Sequence, residues 1–433
     1  MLPFSIVEFP ELPLAIKSLD VHDNKLIVLD DRGIRKFKWE NKKFNQTDFN
    51  ASSAGKLLWI AGKLLVLVDT NISFWDKNFR PLFIKSIRGV SLLEKDNDGL
   101  GFSTIDRKNQ LINWKIHEKN LIKEQVFPID DGAIVIKRYG QHVCMADLAM
   151  YKLINCSNGK MITLFPYDRQ LIIPLITLIN DQFLLTCDGQ NKILGIFMTV
   201  LGHPTKGTLE WPCNVTSIVF SYPWIISSLV TNQIHIHNYA NQELVQILDI
   251  PYNSRELLLF NADCGIKMDN SNVLSVLCVG HGTYGLVMKD LELLLSELVD
   301  AKQVTKAISL AETLHSISFK KLNQLYTIEA ETLLHETYFQ ESFEMYSRAK
   351  VEPTVVISFF PEFDINSKVS IPNIVDKFLS SKYPNIMKDE LLSFKIGLLD
   401  VAYKELQKYL LAYKNSNTNN LYMQVSINLK IGN

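Results

Sequence analysis

Val215 to Ile250, VTSIVFSYPWIISSLVTNQIHIHNYANQELVQILDI, is the stretch whose reading decides the fold. It divides into four short β-rich runs, residues 215–220, 224–229, 234–237 and 244–250. They are separated by Tyr222-Pro223, Thr231-Asn232-Gln233 and Ala240-Asn241-Gln242. Apolar and β-branched runs bounded by Pro, Asn, Thr and Gln read as strands joined by tight turns. Four antiparallel strands make a small sheet with two apolar faces, and such a sheet persists only where other sheets cover those faces.

Copies of this plan occupy the first two-thirds of the chain. Units begin near Ala15, Lys56, Val90, Ala133, Pro174, Val215 and Glu256, and the second holds the runs KLLWIAG, KLLVLVD, ISFWDKN and RPLFIKS. The period is roughly forty residues, that of a four-stranded propeller blade. Seven units predict a seven-bladed β-propeller from Phe4 to Met288, with residues 4–9 supplying a strand that completes the last blade. No blade carries a Trp-Asp signature, so the prediction rests on period and pattern.

After Lys289 the period becomes helical. Leu291, Leu294, Leu295 and Leu298 share one face of residues 290–299, and Val304, Ala307, Ile308 and Ala311 share the next. Further helical runs are 319–334, 338–349, 353–359, 373–381, 388–399 and 402–413, with Pro353 at a tolerated first-turn position. Ala307, Ala311, Ala330 and Ala349 permit close helix approach. Paired helices with short turns describe an α-solenoid. The predicted organisation is a propeller over 1–289, the start of a solenoid over 290–414, and a loose polar end over 415–433, beginning NSNTNN. A solenoid that stops without a capping helix reads as one that continues elsewhere.

At 433 residues, two domains are the default expectation. Lys plus Arg is 45 and Asp plus Glu is 46, a net charge of -1 that argues against broad binding to nucleic acid or to an acidic membrane. No apolar run is long enough for a transmembrane helix, and the start MLPFSIVEFPELP lacks the look of a secretory signal. Cys144, Cys156, Cys187, Cys213, Cys264 and Cys278 lie far apart in strand-like runs, which reads as reduced core thiols in a cytosolic protein.

The motifs that resemble chemistry each have a structural reading. Gly280-His281-Gly282-Thr283-Tyr284-Gly285 matches G-x-G-x-x-G, but residues 284–288 still read as strand, so a hairpin turn is expected rather than a dinucleotide site. His235 and His237 share one strand face; two metal ligands without a third compete with solvated or cross-strand packed rings. His142, His203 and His281 have no Ser or Cys arrangement nearby. Asp30-Asp31, Asp96 with Asp98, and Asp130-Asp131 sit where turns are expected and their side chains stabilise turns. An acid/base site would instead require Asp30, Asp69, Asp98 and Asp188 to converge at a channel mouth. Trp39, Trp59, Trp75, Trp114 and Trp211 fall in strands as packing residues, and Trp224, after Pro223, is expected near a surface loop. No catalytic residue, cofactor site or metal site is predicted.

Several stretches carry a resemblance: Leu164-Phe165-Pro166-Tyr167, LGIFMTVLGHPTKGTLEWP from Leu194 to Pro212, SYPWII from Ser221 with IHIH from Ile234, VTKAISLA from Val304, and EPTVVISFFP from Glu352. The chain resembles the vacuolar-sorting tether subunits, which join a citron-homology propeller to a clathrin-type helical repeat. The 194–212 stretch is nearer the branch of the TGF-β receptor-associated protein and its fungal CORVET counterpart than the HOPS-type sister. The resemblance implies a non-enzymatic endosomal tether subunit that binds a Rab-type GTPase in its GTP form, joins other tether subunits and reaches membranes through those partners. A vacuolar HOPS-type role is the alternative, and a propeller hydrolase using channel carboxylates a more distant one. No residue matches a defined GTPase-binding motif, so no binding residue is carried over.

Overall fold

The middle strands of the sixth unit, Trp224–Leu229 and Gln233–Asn238, are buried on both faces, because each sheet is sandwiched between two others. The computed structural model describes residues 3–51, 54–117, 120–129, 132–250, 257–261, 268, 272–280, 282–313, 317–360, 374–384 and 388–416. The opening of the seventh unit near Glu256, together with Asp130-Asp131, Cys264 and His281, lies outside these residues.

Seven antiparallel sheets form a seven-bladed propeller. Blade 1 starts with Ser18–His22, blade 2 with Lys56–Ile60, blade 3 with Val90–Lys95, blade 4 with Val135–Tyr139, blade 5 with Ile176–Ile179, blade 6 with Val215–Ser221 and blade 7 with Leu258–Asn261. These first strands neighbour one another around the ring, and that of blade 7 returns beside that of blade 1. Apolar clusters fill the seams. One joins Ile27, Leu29 and Ile34 of blade 1 to Leu57, Leu64 and Val66 of blade 2, and another joins Cys144 and Tyr151 of blade 4 to Phe183, Phe197 and Trp211 of blade 5. Turn chemistry follows composition: Asn232 and Gln242, at the last two hairpin turns of blade 6, both take positive φ, at 61°.

Closure is non-local. Phe4–Glu8 is the outermost strand of blade 7, antiparallel to Thr283–Lys289, with Phe4 opposite Met288. The buried amide of Gln246 in blade 6 clasps the Phe4 backbone: its Oε1 accepts from the Phe4 N–H at 3.1 Å and its Nε2 donates to the Phe4 carbonyl at 3.0 Å. The Phe4 ring meets Trp224 edge-on at 6.3 Å. Burying one such Phe contributes roughly 1.5–3 kcal/mol. Trp224 is therefore a core residue, 2% exposed, and not a loop residue. Pro223 ends the preceding turn, and the strand begins at once with a side chain directed into the seam between blades 6 and 7.

Blade 2 departs from the plan. Its regular strands are Lys56–Ile60, Lys63–Val68 and Asn71–Trp75, and the fourth run, RPLFIKS, does not form a strand. It touches the sheet edge only through isolated bridges, Ile72 to Ile87 and Trp75 to Pro81. The pairing that brackets Pro81 stops at Leu82, because the Ile84 N–H turns back to the Leu82 carbonyl at 2.8 Å and makes a tight turn at Phe83.

The contacts separate a second unit, starting at Glu292. Its helices are α1 (Leu291–Asp300), α2 (Val304–Thr313), α3 (Phe319–His335), α4 (Phe339–Ala349), α5 (Pro353–Ser358), α6 (Ile374–Lys382) and α7 (Lys388–Ser416). Ser318 caps α3, its hydroxyl accepting from the Lys321 N–H at 3.3 Å. Ala330 of α3 is fully buried and lets α4 approach, so that the Ser342 hydroxyl donates to the Ala330 carbonyl at 2.7 Å. The runs 388–399 and 402–413 form one helix rather than two, because Asp400 and Val401 between them do not break a helix. This helix continues through Ser416, two residues into the stretch expected to be irregular.

Candidate functional site

The residues singled out for chemistry are dispersed and mostly committed to structure. Asp30 accepts the N–H groups of Arg32 at 2.8 Å and Gly33 at 3.0 Å and pairs with Arg35 at 3.0 Å. Asp98 accepts the Leu100 N–H at 2.8 Å, while Asp69 and Asp188 are exposed at the ends of strands. The motif falls between the antiparallel strands Asn272–Val279 and Thr283–Lys289, with Thr283, Tyr284 and Gly285 in the second strand and the Gly280 N–H donating to the Gly282 carbonyl at 2.9 Å. Gly285 is required by packing: a Cβ there would lie 2.3 Å from the Phe9 ring, so its absence admits the segment that follows the closing strand.

His235 and His237 lie in the seam between blades 5 and 6, 4% and 2% exposed, with ring centroids 6.1 Å apart. Both His235 nitrogens and His237 Nδ1 lack hydrogen-bond partners among the described residues. Trp211 of blade 5 meets His237 edge-on at 5.9 Å and donates its indole N–H to Ser227 at 2.7 Å. Burial, reinforced by His235, lowers the His237 pKa to about 4, so the ring is neutral at pH 7. No third His, Cys, Asp or Glu joins the pair in a metal-holding group among the described residues. Both rings pack in the seam, His237 against Trp211 of the neighbouring blade.

A charged constellation that sequence reasoning missed runs along the innermost strands of blades 1 to 4. Glu94 of blade 3 bonds Lys137 of blade 4 at 2.5 Å and Lys56 of blade 2 at 3.2 Å. Lys95, its chain neighbour, pairs with Asp20 of blade 1 at 3.2 Å, and Asp20 also accepts the Trp59 N–H at 2.8 Å. Just beyond, Arg138 Nε meets Asp96 at 3.0 Å with both side chains 4% exposed. Burial opposes ionisation of Glu94, but Lys137 and Lys56 together outweigh it and hold the carboxyl below its ordinary range. Burial wins at Asp96, raising its pKa despite Arg138 and the N–H groups of Gly140 and Asn97. A carboxylate held between two ammonium groups is a poor proton carrier near pH 7. The arrangement ties four blades together. Its sequence signal was the charge interrupting otherwise apolar runs, Glu94-Lys95 and Lys137-Arg138.

What remains available for recognition is the outer surface. Leu14, Leu148, Leu171 and Leu201 are more than half exposed on loops, where side chains vary without disturbing the stacked sheets.

No family model matches the chain. It is 25% identical over 264 residues to the Transforming growth factor-beta receptor-associated protein 1 homolog of Danio rerio, covering 58% of this chain and 28% of that protein. It is 22% identical over 297 residues to Vacuolar sorting protein 39 of Arabidopsis thaliana, covering 67% and 28%, and 22% identical over 276 residues to the Vam6/Vps39-like protein of Homo sapiens, covering 62% and 29%. The chain thus spans less than a third of the length of these relatives. Among solved structures, BBS1N, determined in complex with ARL6DN, superposes with a TM-score of 0.51 at 13% identity, covering 66% of this chain and 97% of that one, a likeness of fold alone. The chain is a relative of the TGF-β receptor-associated protein and of the Vps39 vacuolar-sorting proteins.

Proposed function

We propose that this chain belongs to a CORVET-like endosomal tethering complex as a non-enzymatic subunit, recognises a Rab-type GTPase in its GTP form, and supports vesicle fusion and endosome-to-vacuole transport. The observation that carries this reading is the pairing of a propeller with stacked helices in a chain similar to the TGF-β receptor-associated and Vps39 proteins. A propeller presents a rigid, loop-built surface, and paired helices present an elongated one. A GTPase whose switch segments are ordered by the γ-phosphate offers a nucleotide-dependent surface to such a partner. Among the described residues no helix is long and apolar enough to cross a membrane, in keeping with recruitment through partners. Of the acids considered for catalysis, Asp30, Asp96 and Asp98 serve turns or ion pairs, which favours the non-enzymatic reading.

The test is retention of endosomal and vacuolar Rab proteins, each loaded with a non-hydrolysable GTP analogue or GDP, on the immobilised full chain. GTP-dependent retention of an endosomal Rab is expected, and equal retention in both nucleotide states removes the Rab part of the reading. A HOPS-type vacuolar role is favoured by the 67% coverage of this chain in the Vacuolar sorting protein 39 match, against 58% for the receptor-associated protein. Selective retention of a vacuolar Rab would decide for it.

A further inference from the structure

We propose that the outer rim between blades 2 and 3 is a docking groove for an acidic peptide segment carrying an apolar side chain, a partner site separate from any GTPase contact. The groove exists because blade 2 lacks a regular fourth strand. Its third strand, Asn71–Trp75, is followed by a segment that holds the sheet edge at few points, among them the Leu82 N–H donating to the Phe74 carbonyl at 2.7 Å and the two-way pairing of Ile72 with Ile87. Between these anchors a tight turn, with the Ile84 N–H donating to the Leu82 carbonyl at 2.8 Å, leaves Phe83 in solvent, 108% exposed. A fully exposed aromatic ring beside a concave surface has the character of a contact anchor.

The cavity beside it measures about 710 Å³, with Phe83, Lys85 and Arg88 on the blade 2 side and Trp114, Leu121 and Lys123 on the blade 3 side. Its floor is apolar, since Ile87, Trp114 and Leu121 belong to the cluster that packs these two blades together. Its walls are cationic. No Asp or Glu is among the described lining residues, and Lys85, Arg88 and Lys123 have no ion pair among the described residues. The contrast with the inner strands is direct, for there Lys56, Lys95, Lys137 and Arg138 all meet carboxylates. In a chain of net charge -1, three unneutralised cations around an apolar floor select a ligand with carboxylates flanking an apolar side chain. The outward-facing backbone of this edge is largely bonded already, at Thr70, Ile72, Phe74 and Asp76, so recognition falls to side chains, and a peptide whose own carboxylates flank an apolar side chain matches the cations and the apolar floor.

The experiment uses the full chain against an array of short synthetic peptides in which Asp and Glu flank a Leu or Phe, with matched arrays carrying Lys or Ser in place of the acids. Acidic members are expected to be retained at low salt and released as salt rises, because the steering charges are exposed. The double variant Lys85→Glu with Arg88→Glu, and separately Phe83→Ala, are expected to weaken the best acidic member by about tenfold each. All three side chains are exposed, so the melting temperature is expected to stay at the wild-type value. Equal retention of the Lys and Ser arrays, no retained acidic member, or variants that bind as the parent does would each overturn the proposal. So would stronger capture of phosphatidylserine-containing vesicles that is lost in the same variants, which would assign the patch to lipid. Rab retention by these variants is expected to match the parent, which keeps this result separate from the test of the proposed function.

Discussion

Two seams of the same ring are held by different chemistry. Between blades 3 and 4 the polar contacts are charges, Arg138 with Asp96 and Lys137 with Glu94, beside an apolar cluster that includes Ile105 and Ile136. Between blades 6 and 7 they are hydroxyls and an aromatic clasp. Thr216 and Ser228 both donate to the Leu257 carbonyl, at 2.7 and 3.0 Å, the Ser217 hydroxyl accepts the Leu259 N–H at 2.8 Å, and Gln246 with Trp224 grips Phe4. Both pairs of blades are consecutive in sequence, so what separates the seams is the origin of one strand. Between blades 3 and 4 a buried ion pair serves as a geometric pin whose desolvation cost is offset by its hydrogen bonds. Between blades 6 and 7 the neutral bonds and ring packing also hold Phe4, which lies 242 residues from Gln246.

Removing residues 1–9 should separate the seams most clearly. It exposes the edge Thr283–Lys289 and leaves Trp224 without Phe4, so the destabilisation should exceed the about 3–5 kcal/mol of truncating a single buried Phe. Urea unfolding followed by Trp fluorescence measures this, and an unchanged midpoint would show that the ring closes without this strand.

Arg138→Met should cost about 3–5 kcal/mol at pH 7, because it leaves the Asp96 carboxylate buried and unpaired. Adding Asp96→Asn should restore much of that loss in the same urea titration. If the double variant is as weak as the single, the pin acts through Arg138 packing and not through charge.

The pH response divides by seam. His237 titrates at about 4 in the fold against an ordinary 6.5, so between these values the unfolded chain binds more protons and acid favours unfolding. Stability should fall by on the order of 2 kcal/mol from pH 7 to pH 5 through this ring, and His237→Phe should flatten that part of the profile. Glu94, held below its ordinary 4.5, contributes stability that is complete above 4.5 and lost as pH falls through its lowered value, a window that Glu94→Gln should remove. Asp96 has the opposite sign: its raised pKa makes the folded chain the better proton acceptor, so it costs stability as pH rises through that range. Thermal melts across pH 4–7 separate the His237 contribution from that of the carboxylates.

The smallest effect should come from Ser228→Ala, about 1 kcal/mol and independent of pH, because it removes one hydroxyl from a neutral network. A pH-dependent loss would place ionisable groups in the closing seam after all.

The reading of the sequence succeeded where structure is local. The blade 6 strands follow from alternation punctuated by Asn232 and Gln242, and the Gly280–Gly285 motif follows from the strand pattern after it. It failed where a residue's role depends on a distant neighbour. Trp224 looked like a loop residue because Pro223 precedes it, yet Phe4 covers it. RPLFIKS looked like a strand because its middle is apolar, yet the tight turn from Leu82 to Ile84 breaks the pairing. Glu94 was passed over, because its partners Lys56 and Lys137 come from two other blades.

Repeat length, strand alternation and turn residues by themselves determined that this chain is a ring of small sheets followed by paired helices, because those signals act over a few residues at a time. Which side chains meet across the seams, which blade lacks a fourth strand, and which cations are left unpaired on the rim were decided only when the blades closed on one another. Burial and charge pairing depend on distances between residues that the sequence places far apart.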